Sequence, residues 1–221
     1  MGKSVSLHGI NMDMGKIKNI VFDFGGVIMD LDRDKAVRRF KEIGVGEADS
    51  YLDLYKQKGI FLEIEDGSIS PQEFQTTLSE MTGHPLSFDE CVYAWTGYVK
   101  GVEAYKLDYL LDLRRRGYHV YILSNTNPFM MSWALSKNFT SAGKALNEYA
   151  DELFLSYQMK MVKPSVEIFQ YMMEHAQLQA EETLFVDDGL ANVRIAEQLG
   201  LHTYLPANGE DWRPAIEKML E

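Results

Sequence analysis

An α/β fold, built on a doubly wound, five-stranded parallel sheet with a small helical domain inserted into it, is predicted by three observations. Short apolar runs recur along the chain with helix-length segments between them. Three of those runs end in polar residues. About seventy residues after the first run carry a helical pattern alone, which interrupts the alternation.

The first run, IVFDF, follows Asn19 and carries the carboxylate Asp23 near its end. The second is YHVYILSN, Tyr118 to Asn125; ELFLSY at Glu152 to Tyr157, TLFVDD at Thr183 to Asp188 and HTYLP at His202 to Pro206 complete the set. VEIFQYMMEHAQL and ANVRIAEQLG lie between the later runs and have helical period. Short buried strands alternating with helices specify a Rossmann-like, parallel sheet, in which ligands gather at the carboxyl ends of the strands. Asp23, Ser124-Asn125 and Asp187-Asp188 all fall at such ends. Polar residues there face a crevice, not the core.

Leu31 to about Lys100 reads as helices without a convincing strand. Ser70-Pro71-Gln72-Glu73 combines a capping serine, a proline at the first helical position and a glutamate three residues after the cap, so EFQTTLSEM is expected to be helical. Ser87-Phe88-Asp89-Glu90 repeats the box before CVYAWTGYV. An all-helical insertion between the first strand and its successor is most simply a lid. The expected division is a core domain of residues 16–32 and 101–221 with a cap domain at residues 33–100.

Composition narrows the function classes. The chain has 221 residues, 46% hydrophobic, enough for a substantial core without disulfide or metal staples. Its formal net charge of −11 repels phosphate backbones and anionic membranes. The one dense basic run, Arg114-Arg115-Arg116, sits before Gly117 and reads as a cationic helix end. Neither nucleic acid nor membrane is an expected partner. A single cysteine, Cys91, excludes an internal disulfide and a cysteine-rich zinc site and fits a reducing cytoplasm. No apolar stripe is left over, so a monomer is expected. Residues 1–15, polar and without period, are expected to be disordered, with Met14 as a second plausible start. Gly2 with Ser6 matches a myristoylation pattern too short and common to carry weight.

The motifs carry a resemblance. Asp23-Phe24-Gly25-Gly26-Val27 after one strand, Ser124-Asn125-Thr126 after another, Lys163-Pro164 opening a helix and Asp187-Asp188 after a fourth resemble the four ordered motifs of the haloacid dehalogenase-like hydrolase superfamily. A helical insertion after the first motif is similar to its C1-capped subclass, and the wording of that motif most resembles bacterial sugar phosphatases such as the glucose-1-phosphate phosphatases. The resemblance runs from Lys16 onward. It implies a phosphatase for a small phosphorylated metabolite, with Asp188 as the direct ligand of a metal, Asp187 a layer behind it and Asn192 supporting the acidic loop.

The residue types fit that chemistry. A phosphate monoester repels nucleophiles, so its hydrolysis needs an attacking group, a cation and donors for the oxygens. Asp23 can attack phosphorus and form an aspartyl-phosphate. Asp23, Asp187 and Asp188 are hard donors suited to Mg²⁺. Ser124 and Lys163 would hold phosphoryl oxygens, Asn125 adds a donor, and the amides of Phe24, Gly25 and Gly26 can face the same anion.

One position departs from the family pattern. Most of its phosphatases carry an aspartate two residues after the nucleophile as general acid and base; here Gly25 stands there. Its carbonyl still serves Mg²⁺, but the proton shuttle is gone, and general acid help is worth roughly 10²–10⁴-fold. Asp30 or Asp32 could substitute, although hinge residues and a helix cap are the plainer reading for them. Two alternatives stay open. One is a carbon–halogen hydrolase, which uses the aspartate but needs no metal; the other is a catalytically weak ligand-binding protein. His8, His84, His119, His175 and His202 show no paired spacing and read as structural or exposed. Met172-Met173 and the aromatics of Tyr93 to Tyr98 read as packing, although Trp95 and Tyr98 on a lid helix could line a pocket.

Overall fold

The computed structural model describes residues 17–221. The expected N-terminal tail, the start at Met14, the Gly2–Ser6 pattern and His8 lie outside them. Strand β1 (Asn19–Phe22) is the first element of the described residues, and the short β2 (Met29–Leu31) and β3 (Val99–Val102) flank a helical segment. Four further strands follow: β4 (His119–Ser124), β5 (Glu152–Leu155), β6 (Thr183–Val186) and β7 (His202–Tyr204). The main sheet has five parallel strands in the order β5-β4-β1-β6-β7.

The central strands β4, β1 and β6 are mostly apolar and buried because both faces of the sheet are covered. Alternate residues serve opposite cores. Ile20, Phe22, Val120, Ile122, Leu184 and Val186 belong to one, and Val21, Tyr121, Leu123 and Phe185 to the other. Helix α6 (Ala104–Arg115) joins the first through Leu107, Leu110 and Leu113. Helices α9 (Val166–His175) and α10 (Leu190–Gln198) cover the second through Ile168, Phe169, Met172 and Ala196. Helix α7 (Pro128–Ala134), the single turn α8 (Ser156–Met159) and α11 (Arg213–Leu220) complete the main unit. From β1 the chain builds outward to β4 and β5, then returns to add β6 and β7 on the other side. That reversal opens the crevice at the carboxyl end of β1, where Asp23 stands.

The inserted segment contains α1 (Arg33–Glu42), α2 (Ala48–Tyr51), α3 (Ile60–Glu65), α4 (Pro71–Thr82) and α5 (Phe88–Trp95). Both expected capping boxes form, with Ser70 receiving the Glu73 amide and Ser87 that of Glu90. Two details differ from the expectation. β2 and β3 pair antiparallel at the root of the insertion, where no strand was read. Strands of three and four residues are too short to show a period, and their partners lie far apart in sequence. Helix α5 also stops at Trp95, and Thr96–Tyr98 tighten into a 3₁₀ turn. Phe40, Phe61, Phe74 and Trp95 form the aromatic centre of the insertion, and Phe74 meets Phe129 of α7 with ring centroids 5.3 Å apart. Insertion and sheet therefore share one core.

Arg114, Arg115 and Arg116 end α6 as read, with Arg114 paired to Asp151 and Arg116 to Glu217. No helix among the described residues is long and apolar enough to cross a membrane.

Candidate active site

Four of the sequence-selected residues meet at the carboxyl ends of β1, β4 and β6. Lys163, in the loop before α9, is buried, and its Nζ lies 2.6 Å from Asp187 Oδ2, 3.0 Å from Asp23 Oδ1 and 2.9 Å from the Leu123 carbonyl. Asp187 has no exposure. Its other oxygen, Oδ1, accepts from the Gly189 amide at 2.7 Å and from Asn192 Nδ2 at 2.9 Å. Both Asp187 oxygens are thus engaged by protein donors, whereas Asp188 faces the crevice. Asp23 Oδ1 also accepts the Phe24 amide at 2.6 Å. The nucleophile candidate is held from two sides.

The remaining candidates fall into two groups. Ser124 lines the crevice beside Asp23, Phe24 and Gly25. Asn125 borders it too, but its side chain is bound to the Lys163 backbone at both ends: Nδ2 donates to the carbonyl at 2.9 Å and Oδ1 accepts the amide at 2.8 Å. It places the lysine. Gly26 departs from the expected role of phosphate donor, because its amide donates to the Met29 carbonyl at 2.7 Å. Its φ of +78° and the Asp188 carboxylate, which a β-carbon would strike, explain the glycine. The Phe24 amide is likewise taken by Asp23, so within the turn Gly25 keeps the amide closest to the expected use.

Neither substitute for the absent acid reaches the crevice. Asp30 is paired at 2.8 Å with Lys106, a buried lysine whose Nζ also donates to the Val27 carbonyl. Asp32 caps α1 by accepting the Lys35 amide.

Three carboxylates around one ammonium leave the site short of positive charge. Burial raises the Asp23 pKa well above the usual carboxylate range; Lys163 opposes this, and Asp187 and Asp188 reinforce it. Burial, with Asp187 beside it, pushes Asp188 up to about 6. Burial alone would lower the Lys163 ammonium, yet Asp187 and Asp23 hold it above its ordinary value. One oxygen from each of Asp23, Asp187 and Asp188 lies within 4.8 Å of the others. An all-oxygen, anionic donor set of this size fits a small hard dication such as Mg²⁺.

The inserted segment supplies the opposite wall. Leu54, Tyr55, Gln57, Glu65, Trp95 and Tyr98 line the crevice. Trp95 and Tyr98 were legible as pocket candidates, and Glu65 falls in the lid stretch Gly59 to Ser70 that the sequence brings to the crevice; Gln57 and Asn127 were not legible. Glu65 ends an ordinary-looking amphipathic helix yet is buried, and burial pushes its carboxyl group up to about 8 against a lowering hydrogen bond from Asn127. Phe61, Ile64 and Glu65 share one face of the helix, so it is the residue type and not the spacing that hides the burial.

Residues 17–200 match the family model described as haloacid dehalogenase-like hydrolase. The chain belongs to the haloacid dehalogenase-like hydrolase family. This hydrolase is 52% identical over 204 residues to the D-ribitol-5-phosphate phosphatase of Bacteroides thetaiotaomicron, covering 92% of this chain and 98% of that one. A predicted HAD-like family hydrolase from Porphyromonas gingivalis superposes with a TM-score of 0.88 at 44% identity, over 93% and 98% of the two chains. A HAD family enzyme from B. thetaiotaomicron, solved with magnesium and inorganic phosphate, gives 0.81 at 40%, over 90% and 98%. An L-2-haloacid dehalogenase at 16% identity and a TM-score of 0.53, over 89% and 91%, shares the fold alone.

Proposed function

We propose that this hydrolase is a Mg²⁺-dependent phosphatase of small phosphorylated polyols or sugars, with D-ribitol 5-phosphate as the first substrate to try. The observation that carries the reading is the buried Lys163 bridging Asp23 and Asp187, with Asp188 facing the same crevice. The high identity to a phosphatase over nearly the whole chain supports it.

In this reading Asp23 attacks phosphorus. A bond forms from its carboxylate oxygen to phosphorus, the ester P–O bond breaks, and the alcohol oxygen leaves with the electron pair and takes a proton from water. Water then attacks the aspartyl-phosphate, loses a proton to solvent and returns Asp23 with inorganic phosphate. Among the described residues Asp23 Oδ2 has no protein donor, because Phe24 and Lys163 both hold Oδ1, so Oδ2 is the attacking oxygen. Lys163 and Ser124 gather phosphoryl oxygens, and Asn125 fixes Lys163. Asp188, Asp23 and the Gly25 carbonyl would hold Mg²⁺, with Asp187 and Asn192 orienting that loop. The ion, when bound, neutralises the acids and polarises the phosphoryl group. Residues 33–100 form the cap, which closes over the crevice and excludes bulk water.

Carbon–halogen hydrolysis is the weaker reading. The acidic pair it does not need is kept here, and the dehalogenase likeness reaches only the fold. The test is phosphate release from a panel of monoesters with Mg²⁺ and with chelator, comparing wild type with Asp23→Asn. Metal-dependent release that disappears in the variant is expected. Release that persists in the variant, or in chelator, overturns the mechanism.

A further inference from the structure

Trp95 closes α5 and is 1% exposed, in ring contact with Phe40, Phe61, Phe74 and Tyr98. Its Nε1 has no hydrogen-bond partner, alone among the buried side-chain nitrogen and oxygen atoms of the described residues. A packed aromatic cluster needs the ring and gains nothing from an unpaired N–H, which carries the full desolvation penalty. Trp95 also lines the crevice. Its neighbours on that wall divide clearly into engaged and available groups.

Gln57 is engaged: Oε1 accepts from the Asp53 amide and from Tyr98, and Nε2 donates to the Asp53 carbonyl. The Tyr98 hydroxyl donates to the Asp53 carbonyl at 2.8 Å. Glu65 is available. Its carbonyl takes the Ser156 hydroxyl, but the Asn127 side chain is the one protein donor that acts on its carboxyl group, and a carboxyl group has room for several. The wall therefore offers the Trp95 N–H as an unused donor and Glu65 as an acceptor with spare capacity; Tyr55 lines the crevice too, and Leu54, Met29 and Met130 present apolar surface to it. A hydroxyl group both gives and takes a hydrogen bond, so it answers both needs. A carboxylate or second phosphate lacks a counter-charge there, because Lys163 is the single cationic side chain among the described residues that line the crevice.

Resting on the phosphatase reading, we propose that Trp95 Nε1–H and the Glu65 carboxyl group form a hydroxyl-binding subsite in the cap, which selects phosphate monoesters bearing a polyhydroxylated carbon chain. The phosphate end lies on Asp23 and Lys163. The hydroxylated end reaches the cap wall, and the apolar residues lie along the carbon chain.

The experiment compares kcat/KM for D-ribitol 5-phosphate and for pentan-1-yl phosphate, which has the same carbon count and no hydroxyl groups. Wild type is expected to favour the polyol ester at least about tenfold, and Trp95→Phe, which keeps a ring and removes the donor, to reduce that preference about tenfold. A merely structural tryptophan lowers both substrates alike and leaves the ratio standing, which overturns the proposal. If Trp95→Phe does not fold, the wild-type ratio decides, since equal hydrolysis of the two esters overturns the subsite while leaving the phosphatase intact. Hydrolysis of neither ester, nor of any ester in the monoester panel, overturns the phosphatase reading itself.

Discussion

Replacing Glu65 by glutamine is expected to flatten the dependence of stability on pH. The wild-type carboxyl group is raised from 4.5 to about 8, chiefly because it is buried. An acid whose folded pKa lies above its unfolded one binds its proton more tightly in the folded state, so its contribution is full below the unfolded value and is lost as pH climbs through the folded one. The window runs from 4.5 to about 8. At about 1.4 kcal/mol per pH unit the whole shift corresponds to roughly 4–5 kcal/mol. For a chain of this size that is on the order of 10 °C in melting temperature. Glutamine keeps the shape and an oxygen for Asn127 but does not ionise. Wild type and Glu65→Gln should therefore melt together near about pH 5, with wild type falling progressively below the variant towards about pH 9. Thermal unfolding in chelator, followed across that range, measures the difference. Asp23 and Asp188 shift in the same direction in both proteins and cancel in the comparison. Two curves separated by a constant offset would refute the assignment of a buried, proton-holding carboxyl group.

Other perturbations have equally direct outcomes. Lys163→Met removes the cation between Asp23 and Asp187 and should destabilise by about 3–5 kcal/mol, with Mg²⁺ restoring part of the loss in denaturant unfolding and phosphate release abolished. Gly26→Ala places a methyl group against the Asp188 carboxylate at a positive φ, so turnover should demand far more Mg²⁺, as titration of activity with the metal will show. Ser70→Ala breaks the capping box of α4 at a cost of about 1 kcal/mol, which calorimetry will register while kcat/KM stays at the wild-type value.

The sheet was legible because its strands are short runs buried on both faces and punctuated by polar ends, a pattern that survives without any knowledge of pairing. The capping boxes were legible because their bonds are local. Contacts made across the sequence were not. That the Asn125 amide is bound to the backbone of Lys163, 38 residues away, depends on β4 ending beside the loop before α9. The ribbon of β2 and β3, and the burial of Lys106 against Asp30 at a separation of 76 residues, follow from closing the insertion on itself. Glu65 and Gln57 are ordinary polar residues in sequence; only the fit of the insertion over the sheet buries them. Trp95 and Tyr98 were legible because a large aromatic beside the entry to a lid has few other places to go.

The departure at Gly25 also has an electrostatic side. Asp23, Asp187 and Asp188 carry three formal negative charges when ionised, and Lys163 returns one positive charge, which leaves −2 at the crevice floor. A bound dication brings that sum to zero, and a phosphate dianion can then enter without net repulsion. An aspartate at position 25 would add a fourth acid to a cluster in which burial and mutual repulsion already lift Asp23 and Asp188. It would have to take up a proton as substrate arrives, which is how such a group becomes a general acid. Steric room is not what keeps aspartate out. A β-carbon at Gly25 would meet Leu31 at 3.4 Å, an ordinary contact, and the backbone there is not left-handed. With Asp30 neutralised by Lys106 and Asp32 capping a helix, no other acid on those two turns takes the place. The site gains a balanced charge and gives up a proton relay, so its rate should depend steeply on how well the leaving alcohol carries negative charge.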